Sequence, residues 1–122
     1  MTVTILTVDD SRTMREMLKS SLSAAGFEVH TADDGLHGLD RMAEVDPDVV
    51  ITDINVPRLD GFGVIEAVRR GTVRPRRPIL VLTTESAPEL KNRAREAGAT
   101  GWIVKPFDDQ RLIGAIRRIA SI

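Results

Sequence analysis

The chain contains no cysteine. That excludes a disulfide framework and a thiolate metal site, and it fits a reducing compartment. It also lacks an excess of either charge. Its 17 Lys and Arg stand against 18 Asp and Glu, for a formal net charge of -1. No whole-chain field therefore draws it to nucleic acid or to a membrane surface. No apolar run approaches the roughly 20 residues of a membrane span. The opening MTVTILTVDD turns acidic too soon to be a signal peptide. There is no glycine-rich pattern ending in Lys-Ser or Lys-Thr, so a P-loop nucleotide site is excluded. Repeats, low-complexity tracts and interdomain linkers are absent as well. The expectation is one cytoplasmic domain over residues 1–122, long enough to bury a core without staples.

What the chain does have is a strict alternation of short β-rich runs and amphipathic helices. Residues 3–8 (VTILTV) read as a first strand that stops at Asp9-Asp10. Ser11 can cap the helix that follows, in which Met14, Met17, Leu18, Leu22 and Ala25 form an apolar stripe ended by Gly26. Residues 27–32 (FEVHTA) make a weaker strand, alternating enough to be partly exposed. After the turn Asp33-Asp34-Gly35, a second helix places Leu36, Leu39, Met42 and Ala43 on one face and closes at Asp46-Pro47. The third strand runs through Val49, Val50 and Ile51 into Asp53. Asn55, Pro57 and Asp60-Gly61 then force a loop, and a third helix carries Phe62, Ile65, Ala67 and Val68 to a stop near Gly71. Beyond a loop rich in arginine, residues 79–84 (ILVLTT) are the most strand-like run in the chain. Ser86, Pro88 and Glu89 read as a cap, a first-turn proline and a capping-box glutamate for a polar fourth helix with Ala87, Ala94 and Ala97, ended by Gly98. A fifth strand at 101–104 breaks at Lys105-Pro106, and Leu112, Ile113, Ile116 and Ile119 mark the last helix. Five strands joined by five short-looped helices predict a parallel sheet, doubly wound, with helices on both faces.

In such a sheet the carboxyl ends of the strands share one edge, and the residues just beyond them converge. Those residues are Asp9, Asp10, Asp53, Thr83, Thr84 and Lys105. Carboxylates gathered together repel one another unless a cation sits among them. A set of hard oxygen ligands suits Mg²⁺, which often binds beside a phosphate. Lys105 adds positive charge and Thr83 can donate to an anionic oxygen. The set describes a phosphoryl site in which one aspartate is free to act as nucleophile.

Asp9-Asp10, TDINVP around Asp53, Asp60-Gly61, LTT at 82–84 and KPF at 105–107, taken in that order, resemble the receiver domains of bacterial response regulators. The likeness covers essentially the whole chain and is closest in type to single-domain chemotaxis regulators of the CheY kind. It implies a flavodoxin-like sheet of order 2-1-3-4-5. It implies that Asp53 is the phosphoacceptor, with Mg²⁺ held by Asp10 directly, by Asp9 mainly through water, by Asp53, and by the backbone carbonyl of Asn55. Thr83 and Lys105 would contact the phosphoryl oxygens. Trp102 stands at the place of the aromatic switch residue, where the family usually has a tyrosine or another smaller ring. Asn55 and Glu85 stand where residues tune hydrolysis, and the Lys105-Pro106 bond would be cis. The implied partners are a histidine kinase as phosphodonor and a downstream protein such as a flagellar motor switch or a relay protein. The downstream protein would meet the face made by helix four, strand five and helix five once Asp53 is phosphorylated. Neither direct nucleic-acid contact nor membrane contact is expected. A monomer is expected, one that catalyses its own phosphorylation and dephosphorylation and is otherwise not an enzyme.

Other readings of the same residues are weighed as follows. Asp33-Asp34 follow a peripheral strand and read as turn and cap residues. His30 and His37 lack metal-ligand partners at useful spacing and read as surface residues. Arg69, Arg70, Arg74, Arg76 and Arg77 read as a solvated loop at the edge away from Asp53. Ile54 reads as packing. A Mg²⁺-dependent aspartyl-phosphate phosphohydrolase of the haloacid-dehalogenase type wants a second aspartate two residues after the nucleophile, where this chain has Asn55, and a substrate cap as well. A flavin carrier wants a loop of Ser, Thr and Gly after the first strand, where this chain has two acids. A receiver belonging to a larger DNA-binding regulator would carry the same residues; the initiating Met1 and the end at Ile122 favour a stand-alone regulator.

Overall fold

The computed structural model describes residues 2–121, so Met1 and Ile122 lie outside the described residues. Ten elements alternate in chain order: β1 (Thr4–Val8), α1 (Arg12–Ala24), β2 (Glu28–Ala32), α2 (Gly35–Val45), β3 (Val49–Thr52), α3 (Gly61–Arg70), β4 (Ile79–Thr83), α4 (Pro88–Ala97), β5 (Gly101–Val104) and α5 (Asp109–Ile119). The strands form one sheet in the order β2-β1-β3-β4-β5, and every pairing is parallel. The expected architecture and strand order are both present.

The apolar runs of β3 and β4 are buried along their whole length, as central parallel strands covered on both faces must be. Side chains alternate between two cores. On one face Ile5, Val49, Ile51, Leu80 and Leu82 meet Leu18 and Leu22 of α1 and Leu112 and Ile116 of α5. On the other, Val50, Ile79 and Val81 meet Phe62, Ile65 and Val68 of α3 and Ala94 of α4. Leu6, Val8, Ala32 and Val56 extend that second face beneath Met42 of α2. Each buried Leu or Ile side chain removes enough apolar surface from water to contribute about 1.5–3 kcal/mol.

The helix starts are set by short polar side chains. Ser11, Asp34, Asp60 and Asp108 each accept a hydrogen bond from a backbone N–H in the first turn of α1, α2, α3 and α5. The start of α4 differs from the expected one. Its cap is Ala87, without any side-chain bond, and Pro88 alone sets the first turn. Ser86 is one residue too early to cap, and Glu89 falls too near the start to complete a capping box.

Two apolar stripes are narrower than their spacing predicts. Met17 of α1 is 47% exposed, because Leu18 and Leu22 take the buried line. In α2 Leu36 is 42% exposed and Ala43 is exposed, while the buried residues are Gly35 and Gly38. The helix lies so close to β1 that a Cβ on Gly38 would stand 2.9 Å from Val8 Cγ2. The arginine loop is also more than a solvated surface. Arg77 is 5% exposed and donates to the carbonyls of Pro47, Arg74 and Val73 and to Asp46 Oδ1. Arg69 donates to the carbonyls of Gly98, Pro75 and Arg77. These guanidiniums tie α3, the loop after α2 and the end of α4 together, and Arg70 and Arg76 remain on the surface.

The close approach of α2 is testable against a helix with room to spare. Gly38→Ala must push Val8 aside and is expected to lower stability by about 1–3 kcal/mol in urea unfolding. Gly114 in α5 has nothing within 4 Å of a Cβ, so Gly114→Ala is expected to raise stability by about 0.5–1 kcal/mol in the same assay.

Candidate functional site

Because all five strands run the same way, the residues after β1, β3, β4 and β5 meet at one edge of the sheet. Asp9 follows β1 and is 2% exposed, Asp53 follows β3 at 9%, and Thr83 ends β4 at 0%. Lys105 enters from the end of β5. Its Nζ donates to Asp9 Oδ2 at 2.7 Å and to Asp53 Oδ2 at 2.8 Å. One ammonium thus bridges residues 96 and 52 positions away in sequence. The peptide bond between Lys105 and Pro106 is cis, as expected.

The other oxygens of the two carboxylates are held by backbone donors. Asp53 Oδ1 accepts from the N–H of Ile54 at 2.6 Å and of Asn55 at 3.3 Å. Asp9 Oδ1 accepts from the N–H of Ser11 at 2.9 Å, and the guanidinium of Arg15 donates to the Asp9 carbonyl. Burial pushes the Asp53 carboxyl up. The hydrogen bond from Lys105, the Thr83 hydroxyl, the Lys105 charge and the Asn55 N–H more than offset this, and its pKa lies below the ordinary carboxylate value. Burial pulls Lys105 down, but its bonds to Asp53 and Asp9 outweigh that, and its pKa is raised. Both groups are therefore charged at neutral pH.

Asp10 is the exception among the expected acids. The chain turns outward after Asp9, so Asp10 is exposed at the rim, without a hydrogen-bond partner among the described residues. Those residues contain no group of three His, Cys, Asp or Glu already gathered as a metal cage. The donor chemistry nevertheless fits a small hard cation. Three carboxylates against one ammonium leave an uncompensated double negative charge, and every candidate donor is an oxygen. The carbonyl of Asn55 accepts no hydrogen bond from the described residues, so it too is free to serve as a ligand.

A second set of bonds links this edge to Trp102. The Asn55 side chain donates from Nδ2 to Glu85 Oε1 at 2.9 Å. The N–H of Glu85 donates to Thr83 Oγ1 at 3.3 Å, and Trp102 Nε1 donates to the Glu85 carbonyl at 3.1 Å. Trp102 is half-buried beside the core under α3 and α4. Glu85 is thus the node between the acidic edge and the tryptophan. Its contacts depend on how two loops meet, which spacing along the chain does not reveal. Ile54 is buried packing, as read. Asp34 caps α2, His30 pairs with Glu28 and Arg41, and His37 pairs with Asp33; none of these bonds is made to Asp9, Asp53, Thr83 or Lys105.

Asp53, with its lowered pKa, adds stability that is present at neutral pH and lost as acid carries the solution down through that value. Lys105, with its raised pKa, adds stability that is full below the ordinary lysine value and lost as pH climbs through the raised one. Lys105→Met removes the ammonium and leaves Asp9 and Asp53 facing one another. Chelator-treated protein is expected to lose about 2–4 kcal/mol at pH 7 by urea unfolding, with the deficit shrinking as pH falls through the carboxylate range. A deficit independent of pH would mean that the lysine stem, not its charge, is what matters.

The family model for the response regulator receiver domain matches residues 5–117. A response regulator MprA from Mycobacterium sp. (strain KMS) is 40% identical over 119 residues, covering 98% of this chain and 51% of that protein. MprA from Mycobacterium tuberculosis (strain H37Rv) is equally similar at 40% over 119 residues. The chain therefore spans about half the length of these relatives. Among solved structures, chemotaxis protein CheY4 of Vibrio cholerae superposes with a TM-score of 0.93 at 41% identity, covering 98% of this chain and 99% of that one. A response regulator from Chloroflexus aurantiacus superposes with a TM-score of 0.94 at 34% identity, over 100% of both chains. With its sheet order, its acidic edge and these likenesses, the chain belongs to the response regulator receiver domains, the phosphorylation-switched modules of two-component signalling.

Proposed function

We propose that Asp53 is the phosphoacceptor of this receiver, and that its phosphorylation is read through Thr83, Glu85 and Trp102 at the α4–β5–α5 face. The observation that carries this reading is the pairing of a nearly buried, ionised Asp53 with Lys105 at 2.8 Å. A carboxylate is a weak nucleophile, so the protein must supply position and charge neutralisation rather than a stronger base. The Ile54 and Asn55 N–H groups fix Oδ1 of Asp53. The attacking oxygen forms a bond to phosphorus while the bond from phosphorus to the donor, the imidazole nitrogen of a kinase phosphohistidine, breaks. Lys105, already bonded to Oδ2, stays with the negative charge as it spreads over the phosphoryl oxygens. Asp9, Asp10, Asp53 and the Asn55 carbonyl would hold Mg²⁺, which when bound neutralises the phosphoryl oxygens and the attacking carboxylate.

The new dianion on Asp53 would draw the Thr83 hydroxyl toward itself, away from the Glu85 N–H that it now accepts. That loosens the loop before α4, the helix with the barest start and with Ala94 as its buried residue. Trp102, bonded to the Glu85 carbonyl, feels the same change. The groove between α4 and α5, lined by Lys91, Trp102, Phe107 and Arg111, is where a downstream protein would read it. A chemotaxis output is one such reading, supported by the likeness to CheY4. The side chain of Asn55 is engaged with Glu85 and cannot act as the acid of a phosphohydrolase. This supports a switch that modifies itself and turns over no external substrate.

Incubation with acetyl phosphate and Mg²⁺ is expected to add one phosphoryl mass to the wild-type chain and none to Asp53→Ala or Asp10→Ala. An equal gain on Asp53→Ala would remove Asp53 from its role. Thr83→Ala is expected to accept the phosphoryl group at a comparable extent. The change in Trp102 emission that accompanies it in the wild type should be largely lost; an unchanged emission response would take Thr83 out of the relay.

A further inference from the structure

Arg58 holds a backbone conformation that a bulky side chain seldom adopts, with φ at 67° in the loop between β3 and α3. Such a conformation persists where the surroundings over-determine it, and it clusters near functional sites. The contacts that hold Arg58 are explicit. Its Nε donates to Asp34 Oδ2 at 2.8 Å and its Nη2 to Asp34 Oδ1 at 3.2 Å, a two-pronged ion pair. Asp34 is itself fixed, because Oδ1 caps α2 by accepting from the His37 N–H at 2.7 Å. The Asp34 carboxylate is 14% exposed and Arg58 reaches it from the surface, its own side chain 56% exposed.

Two more contacts clamp the same segment. The Gly35 N–H donates to the Pro57 carbonyl at 3.3 Å. The Leu59 carbonyl lies so close to Gly35 that an added Cβ would stand 1.8 Å from it. Pro57, Arg58 and Leu59 are therefore strapped to the start of α2 at three successive residues. Two residues before Pro57 comes Asn55, whose carbonyl accepts no hydrogen bond among the described residues and whose N–H donates to Asp53 Oδ1.

We propose that the Arg58–Asp34 pair is a positioning strap for the metal site: by fixing the loop that carries the Asn55 carbonyl, it sets how tightly the acidic edge binds Mg²⁺. This rests on the reading of Asn55 as a Mg²⁺ ligand in the preceding section. Neither residue touches the phosphoryl group; the strap acts through the loop. Charged partners that orient a ligand from outside the coordination sphere commonly govern metal affinity.

The test is calorimetric titration of MgCl2 into the chain as wild type, Arg58→Met, Asp34→Asn and the double variant, with Arg58→Lys as rescue. Arg58→Met keeps the aliphatic stem and loses the ion pair. Asp34→Asn keeps an oxygen to cap α2 and loses the charge, and circular dichroism verifies that each variant folds. The Mg²⁺ dissociation constant is expected to rise about threefold to tenfold in each single variant. The double variant should bind no more weakly than either single one, and Arg58→Lys should recover part of the loss. In acetyl phosphate assays the Mg²⁺ concentration for half-maximal phosphorylation should rise while the rate at saturating Mg²⁺ stays unchanged. Wild-type affinity in Arg58→Met, additive losses in the double variant, or a lower rate at saturating Mg²⁺ would each overturn the strap while leaving the metal reading intact. A wild-type chain that binds no Mg²⁺ would overturn both.

Discussion

Lys105 Nζ sits between two nearly buried carboxylates, and the rest of the edge is arranged around that fact. Without it Asp9 and Asp53, at the ends of neighbouring parallel strands, would be two nearly buried carboxylates with no cation between them. The ammonium reaches them because β5 lies in the same sheet as β1 and β3, with its carboxyl end at the same edge. The doubly wound fold is thus more than a scaffold for the site. It brings together charges that repel locally and pair only across the sheet. The balance is also incomplete, since Asp10 at the rim keeps the edge net negative, and an edge of that kind attracts a divalent cation and, through it, a phosphoryl group.

From this charge balance the coupling to the surface follows. Asp53 is bonded to Asn55, Asn55 to Glu85, and Glu85 both to Thr83 and to Trp102. A dianion placed at Asp53 would be separated from Trp102 by three hydrogen bonds, running through Asn55 and Glu85. The element beyond them, α4, is bound less firmly than its neighbours at its start, having no side-chain cap. At its far end Arg69 grips the Gly98 carbonyl twice, from Nε and Nη2. Stability is distributed so that the part nearest the acidic edge is the part easiest to shift.

How much of this is legible in the sequence depends on the range of the interaction. The strands, the caps at Ser11 and Asp34, and the convergence of Asp9, Asp53, Thr83 and Lys105 follow from local patterns and the parallel rule; the cap at Asp60, read as part of a loop, is seen in the structure. The order of the strands comes from the family resemblance and not from periodicity. Apolar spacing puts Leu36 and Met17 in the core, because it counts side chains and cannot see that α2 comes close enough to β1 to demand glycine. Charge clustering makes Arg77 look solvated, because the Pro47 carbonyl and the Asp46 carboxylate that engage it lie 30 and 31 positions away in sequence. The tie between Arg58 and Asp34 leaves no trace in the chain: an arginine after a proline does not announce a left-handed backbone. Asp10 shows the reverse case, where two adjacent acids look equivalent in sequence and the turn after β1 makes one buried and one exposed.

The identity of the acceptor can be fixed chemically by treating the chain with acetyl phosphate and Mg²⁺, reducing with borohydride, and sequencing the peptides. An acyl phosphate on Asp53 is reduced to homoserine at that position. Homoserine in the peptide spanning 49–58, in place of Asp53 and dependent on Mg²⁺, is the expected result. Homoserine at Asp9, Asp10 or another acid, with Asp53 intact, would contradict the assignment of Asp53 as the nucleophile held by Lys105.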